Sequence, residues 1–346
     1  METVKKFDIF QYDSKDFNFI VQQNHQDAND SKFDRILKEK YEEGMKNNIF
    51  RYKLNISESK ILDGQYRFFA QLNVERGSNR RAPEDIQSMN TPFDPSRFNF
   101  TKISDKEIYF DICVGDGNNV VAANVSPVEY GHCLFLPERL KCLPQQATKF
   151  SIIKVIELFL LSKSPYLRAA YNSLCAYASV NHLHWHLYYL NIPMLLEKYP
   201  LECLSEPLYL LENYPAKGFC IKQSSFLDND YLSFASAVYL FVKYLQEQLI
   251  PHNVYITRAK KSRESISYDD IRVYIWARKP NFGIKNTLGF LPAVNEFSGH
   301  LSIKTKEAYE SLTEDMVAQC MEDVTNDFFL KLKKNLEDKN NIFDGS

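Results

Sequence analysis

Apolar and polar positions alternate in short runs along the first half of the chain, with turn residues between the runs. After a polar stretch over residues 1–50, in which SKFDRILKEKYEEGMK predicts a helix opened by Ser31, QYRFFAQLNV (65–74) reads as a strand and NVERGSNRRAPED (73–85) as an exposed basic loop. EIYFDICV (107–114), VVAANVSP (120–127) and HCLFLPER (132–139) read as an antiparallel meander, separated by GDGNN and EYG. Beyond Pro144 the period changes. Phe150, Ile153, Ile156 and Leu160 recur at helical spacing, which predicts an amphipathic helix to about Ser162. Two more strands follow, LRAAYNSL (167–174) and ASVNHLHWHLYYL (178–190), and then a proline-rich connector over 191–215. The second half loosely repeats the order: strand GFCIKQSS, a helix over about 230–249, strands NVYITRAK and IRVYIWARK, and a long C-terminal helix over about 306–335. SPVEYGHCLFLPE (126–138) and PAVNEFSGHLSIKT (292–305) also share an acidic residue and an aromatic shortly before Gly-His.

These elements predict an α+β fold of antiparallel sheets with packed helices. The expected division is an N-terminal extension (1–50) and two halves, 51–200 and 201–346, related by an ancient duplication. A chain of 346 residues with 25 Phe and 21 Tyr can bury a sizeable core. Its net charge of −2, with both signs interspersed, gives no global reason to expect nucleic acid or an anionic membrane as partner. The seven cysteines are scattered without a CxxC pair, which points to a reducing, cytoplasmic setting. The N-terminus lacks the apolar run of a signal peptide, and the most apolar windows fall short of the roughly 20 residues of a membrane span.

NHLHWHLYYL (181–190) gathers three of the seven histidines at every second position. On a strand this alternation puts His182, His184, His186 and Tyr188 on one face and Leu183, Trp185, Leu187 and Tyr189 on the other. Three unrelated polar residues on a solvent face is one reading. A zinc site is another, but the outer Cα atoms would stand about 13 Å apart at ~3.3 Å per residue, and no CxxC or HExxH supplies further ligands. A third reading is nucleophilic. One neutral imidazole attacks an electrophile, its second nitrogen is held by an acceptor, and its neighbours donate to developing negative charge. A nucleotide α-phosphate suits that chemistry, because the N–P bond formed stays reactive toward a second acceptor.

His182-Leu-His184-Trp-His186-Leu-Tyr188 resembles the histidine-triad motif of nucleotide hydrolases and transferases. Asn124, Ser126-Pro127 and Gly131-His132 resemble the segment that precedes it in that superfamily. GQYRFFAQLNVERGSNRR, PFDPSRFNFTKI, NSLCAYASVNHLHWHLYYL, PHNVYITR, ARKPNFG and PAVNEFSGHL extend the resemblance from about residue 60 to 320. The branch it resembles is that of the GDP-hexose phosphorylases, which act on GDP-glucose in animals and GDP-L-galactose in plants. The resemblance implies a histidine-triad-like fold whose first half alone keeps the histidines. It implies that His184 attacks the α-phosphorus of GDP-glucose, with His182 and His186 beside it, and that inorganic phosphate then takes the guanylyl group to give GDP. Ser179 and Asn172 fall where the superfamily contacts ribose and phosphates, and Asn124 and His132 lie in the matching upstream segment. No cofactor and no catalytic metal is implied; the partners are GDP-glucose and phosphate, with a homodimer possible.

Histidine at 186, where the uridylyl-transferring relatives carry glutamine, leaves hydrolysis to GMP open as an alternative. A non-catalytic guanine-nucleotide-related regulator is the reading outside catalysis. Arg76, Arg80 and Arg81, within six positions, suit phosphate oxygens or a solvated loop equally. Arg272, Tyr274, Trp276 and Arg278 share a strand face and are expected to be structural, as is His300.

Overall fold

In the computed structural model, residues 6–24, 26, 29–262, 264–282 and 288–338 are described. Residues 1–5, positions 25, 27 and 28 of the early acidic loop, Gly283 of ARKPNFG and Lys339 of the C-terminal run lie outside them. In chain order the first half holds β1 (Val21–Gln22), α1 (Lys32–Lys46), β2 (Glu58–Ile61), β3 (Phe69–Leu72), α2 (Val74–Asn79), β4 (Ile108–Asp111), β5 (Val120–Ala123), β6 (Cys133–Leu136), α3 (Lys149–Leu161), β7 (Leu167–Asn172) and β8 (Trp185–Tyr189). The second holds β9 (Glu202–Ser205), β10 (Leu208–Leu211), β11 (Gly218–Lys222), α4 (Tyr231–Glu247), β12 (His252–Ala259), β13 (Ser267–Tyr268), β14 (Asp270–Ala277), α5 (Val294–Phe297), β15 (His300–Ile303), α6 (Lys306–Ser311) and α7 (Glu314–Asp338).

Ten strands form one antiparallel sheet in the order β4-β5-β6-β8-β7-β12-β14-β11-β10-β9. Each half contributes a three-strand meander, a helix and two further strands, and the fifth strand inserts between the third and fourth. The two fourth strands, β7 and β12, pair at the centre, with Asn172 opposite Asn253. This shared topology carries the repeat. The Gly-His similarity does not, because β15 lies in a separate three-stranded sheet, β15-β3-β2, and pairs in parallel with β3. Its apparent counterpart, β6, lies inside the main sheet.

Helices α3 and α4 pack on one face of the sheet and close a core that includes Trp185, Leu187, Tyr189, Val254, Val273 and Ile275. Burial of this apolar surface, worth about 25 cal/mol per Å², is the main force holding the layers together. The N-terminal segment belongs to the same core through Phe10, Phe33, Leu37, Tyr41 and Phe50. Ser31 caps α1 as expected, with Asp34 at the third position closing a reciprocal capping pair. Asp34 is buried; it also accepts from Ser162 Oγ, from Lys163 N and from the hydroxyl of Tyr189 on β8. The opposite face of the sheet is covered over the second half by the small sheet, α5 and α7, which bury Tyr255, Tyr274 and Trp276. Over the first half the same face lines a cavity.

Several expectations change. Residues 73–85 are not a loop throughout: Asn73 accepts from the Arg76 N–H and starts α2. The proline-rich connector contains β9 and β10, which continue the sheet from β11. The C-terminal helix is two helices, broken where Leu312 takes an extended conformation. The histidine strand starts at Trp185, not before it. Among the described residues no helix is long and apolar enough to cross a membrane.

Candidate active site

Gln145 sets the shape of the histidine segment. In register, Ala170 pairs with His186, so Asn172 would face His184 as the next rungs of the ladder. The buried Gln145 carboxamide stands there instead. Its Oε1 accepts the His184 backbone N–H (2.8 Å), and its Nε2 donates to the carbonyls of His184 (3.1 Å) and Asn172 (3.0 Å). Leu183 N–H donates to the Leu143 carbonyl, and Gln145 N–H to Asn181 Oδ1. Every backbone group so released from the ladder therefore has a partner, as burial requires.

His184 Nδ1 lies 2.7 Å from the carbonyl of His182. A carbonyl can only accept, so the proton sits on Nδ1 and the Nε2 lone pair is exposed to the cavity. Burial pushes the His184 pKa down to about 4, which keeps the ring neutral at physiological pH. A neutral imidazole in this position can act as a nucleophile without a base to deprotonate it.

The second histidine pair is oriented through a turn. Gly131 has φ +69°, and a Cβ there would meet the Tyr189 ring at 2.7 Å, so this turn before β6 requires glycine. It brings His132 beside β8. The Val128 N–H donates to His132 Nδ1 (3.0 Å), which leaves the His132 proton on Nε2, 3.0 Å from His186 Nδ1. His186 then carries its own proton on Nε2, as a donor. Asn124 holds the turn by accepting from Ser126 N–H, and its carboxamide nitrogen stands 2.9 Å from His132 Nε2. Burial holds both imidazoles well below the usual histidine pKa, and the positive charge of Arg76 acts the same way on both.

His182 departs from the expected arrangement. Its Nδ1 accepts the Phe100 N–H and its Nε2 donates to the Arg139 carbonyl, each at 3.0 Å. Both nitrogens are spent on backbone and the side chain does not line the cavity. It is a clasp between two loops, and it sets Phe100 against the His184 ring, 5.0 Å between centroids. With His182 turned away, the three imidazoles do not converge on a metal position.

The cavity measures about 350 Å³, and Arg76, Arg80, Arg81, Asn124, His132, Asn172, Ser179, His184 and His186 all line it. One lobe is apolar, walled by Phe98, Phe100, Ile103, Leu134, Leu136 and Val180. Arg81 stacks its guanidinium 3.1 Å over the Phe98 ring centroid there, and burial lowers its pKa to about 10. The other lobe is polar. Asn172 Oδ1 accepts from Asn253 Nδ2 (2.6 Å) and from Val294 N–H (3.3 Å), and Ser179 lies at the exposed rim. Arg76 reaches the Ser126 carbonyl and the Tyr52 hydroxyl.

Sequence reasoning missed Gln145, Tyr177 and the wall supplied by the second half: Asn281, Glu296, Ser302 and Lys304. The alternation His300-Ser302-Lys304 was a readable signal for the last two. His300 is buried and donates to Gln71 Oε1 (2.6 Å), while Arg272, Tyr274, Trp276 and Arg278 are buried with backbone-carbonyl partners, as expected for a structural face.

Two family models match the chain, "GDPGP1-like, N-terminal domain" over residues 32–188 and "GDPGP1-like, C-terminal domain" over 202–337. GDP-D-glucose phosphorylase 1 of Danio rerio is 37% identical over 317 residues, covering 89% of this chain and 91% of its own. GDP-L-galactose phosphorylase 2 of Arabidopsis thaliana is 32% identical over 320 residues, covering 82% of this chain and 70% of its own. Among solved structures, yeast Ap4A phosphorylase Apa2 in complex with Ap4A superposes with a TM-score of 0.60 at 16% identity, over 85% of this chain and 97% of that one. That likeness establishes a shared α+β, histidine-triad-like fold.

Proposed function

The chain belongs to the GDPGP1-like family, and from that premise we propose that it is a GDP-D-glucose phosphorylase in which His184 is the nucleophile. One observation carries the reading: a neutral imidazole, its proton held by a backbone carbonyl, presents a bare Nε2 to a cavity rich in cations. His184 attacks the α-phosphorus of GDP-glucose, and the bond to the bridging oxygen breaks with release of glucose 1-phosphate. Hydrogen phosphate then attacks the guanylyl-histidine to give GDP. His186 Nε2–H and Arg76 stabilise the charge that develops on the α-phosphate. Arg80 and Arg81 hold the diphosphate, and Asn172, Ser179, Asn124 and His132 position the nucleotide and the turn beneath it. His182 acts as a positioning residue. The apolar lobe receives the base.

The division into a histidine-bearing half (51–200) and a half without the triad (201–346) is part of this proposal. So is a cytoplasmic setting, which the seven free cysteines support. The reading includes small-molecule partners only, no nucleic acid or membrane, and a homodimer, which sedimentation velocity tests.

The deciding experiment incubates the protein with GDP-glucose with and without phosphate and follows products alongside intact protein mass. The expected result is phosphate-dependent formation of GDP and glucose 1-phosphate, with a guanylyl adduct on His184 when phosphate is withheld. GMP formed equally well without phosphate would make the enzyme a hydrolase. No turnover and no adduct would overturn both.

A further inference from the structure

One side of the cavity holds more positive charge than the chain balances. Arg76 and Arg80 reach it from α2 and the residue that ends it, while Ser302 and Lys304 stand two positions apart at the end of β15. Gly77 is where these segments meet. A Cβ there would lie 3.2 Å from Lys304 Cβ, so the absence of a side chain lets α2 rest against the strand end. Burial, and then the charge of Arg76, lowers the Arg80 pKa; burial, and then Arg80, lowers that of Lys304. Glu296, whose charge acts on both Arg80 and Lys304, is itself pushed up to about 7 by burial, so it offsets only part of that charge at neutral pH. Among the described residues, Glu296 forms no ion pair with any of the three cations, and the side chains of Arg80 and Lys304 have no hydrogen-bond partner. Ser302 Oγ and Ser126 Oγ are buried without a partner as well. Like charges and orphaned hydroxyls held together in a half-buried wall are unfavourable unless a multiply charged anion joins them.

We propose that Ser302 and Lys304 of the second half, with Arg76 and Arg80 of the first, form a single anion subsite that is used twice in each turnover. It holds the phosphate of the departing glucose 1-phosphate and then the inorganic phosphate that replaces it. The inference rests on the phosphorylase reading. Both displacements are in line at the α-phosphorus, and His184 Nε2 occupies the same apical position in each. The leaving oxygen exits opposite that nitrogen, and the attacking oxygen must enter opposite it, so the two phosphates occupy the same space in turn. In the first step the N–P bond forms and the P–O electron pair leaves with glucose 1-phosphate. In the second, an oxygen of hydrogen phosphate bonds to phosphorus and the N–P pair returns to Nε2. The Nδ1 proton stays on the imidazole throughout, and the proton of hydrogen phosphate passes to solvent as the new terminal phosphate of GDP ionises. Water cannot exploit such a subsite, so the same cluster favours phosphorolysis over hydrolysis although position 186 is histidine.

The test compares the full-length chain with Lys304→Met, Lys304→Arg and Ser302→Ala. It measures the pre-steady-state burst of glucose 1-phosphate, the GDP-to-GMP ratio against phosphate concentration, and calorimetric binding of inorganic phosphate alone. Lys304→Met is expected to slow the burst and to raise half-saturating phosphate, each by about tenfold or more, with Lys304→Arg recovering most of both losses. Products shift from GDP toward GMP, and Ser302→Ala shows the same pattern more weakly. A variant that changes only the burst, only the phosphate dependence, or neither overturns the shared subsite. If the wild-type chain releases no glucose 1-phosphate, the phosphorylase reading fails separately. Calorimetry then decides: weaker phosphate binding by Lys304→Met supports the anion subsite, and equal binding removes it.

Discussion

The two halves of the main sheet are wired alike and finished differently. In the second half the ladder between β12 and β14 runs unbroken for eight pairs, from His252 opposite Ala277 to Ala259 opposite Asp270. Tyr274 and Trp276 fill the face above it, with their polar atoms tied to the carbonyls of Leu196 and Ala216. In the first half the equivalent ladder between β7 and β8 stops after four pairs, and the Gln145 carboxamide takes over where His184 would continue it. The histidine-bearing half gives up strand pairing at one position, and there the chain turns an imidazole into the cavity. A glutamine satisfies the same backbone groups a strand would, so the break costs little in unpaired polar atoms. The proposed chemistry depends on a local interruption of a shared scaffold.

The comparison can be broken most sharply at His184, the proposed nucleophile. His184→Ala should lower glucose 1-phosphate release by roughly four orders of magnitude, with no guanylyl adduct by mass and a nearly unchanged melting temperature. Next comes the wedge. Gln145→Leu leaves the buried backbone groups of His184 and Asn172 unpaired, so it should cost about 2–4 kcal/mol in denaturant unfolding. The same variant should slow the burst roughly 10–100-fold through misplacement of the ring. An active, stable Gln145→Leu variant would mean that the ladder break is incidental.

On the other half, Tyr274→Phe removes a hydroxyl bonded to the Leu196 carbonyl (2.6 Å) and should cost about 1 kcal/mol while leaving kcat unchanged. Acid should act on both halves alike. Burial lowers the pKa of His182, His184 and His252 to about 4 and that of His300 to about 3, against roughly 6.5 when unfolded. The unfolded chain therefore binds more protons between these values. The stabilisation is fully present above pH 6.5 and is lost as pH falls toward 4, read as a falling melting temperature. Because His184 stays neutral across most of that window, the acid limb of kcat should lie near pH 4 and not near 6.5.

Much of this is legible in the sequence. The Ser31 cap and the helical period of α3 place both helices within a residue or two, since capping and one-sided burial are local matters. The alternation in WHLYY gives the right faces for β8. It cannot reveal that His182 and His184 sit outside the strand, because the group that displaces them, Gln145, lies some forty residues upstream. Strands β9 and β10 were hidden by Pro200 and Pro207, whose local signal says turn; their pairing with β11 is a tertiary fact. Helix α2 was hidden because VERGSN is short and polar, and its hold comes from the Asn73 cap and the Gly77 approach to Lys304. Lys304 itself looks like a surface lysine until the small sheet folds it into the cavity wall.

That small sheet also imposes an order of events. Parallel pairing sets His300 against Phe69, residues 231 positions apart in the chain. At about 5–20 residues per second, a ribosome exposes the β3 edge roughly 10–50 s before its partner exists. The histidine segment leaves the ribosome well before residues 300–304, so a nascent or prematurely terminated chain has its proposed nucleophile but no far wall to the cavity. Synthesis of β15 thus acts as a checkpoint: only a chain that has grown past it can assemble the proposed phosphate subsite beside His184.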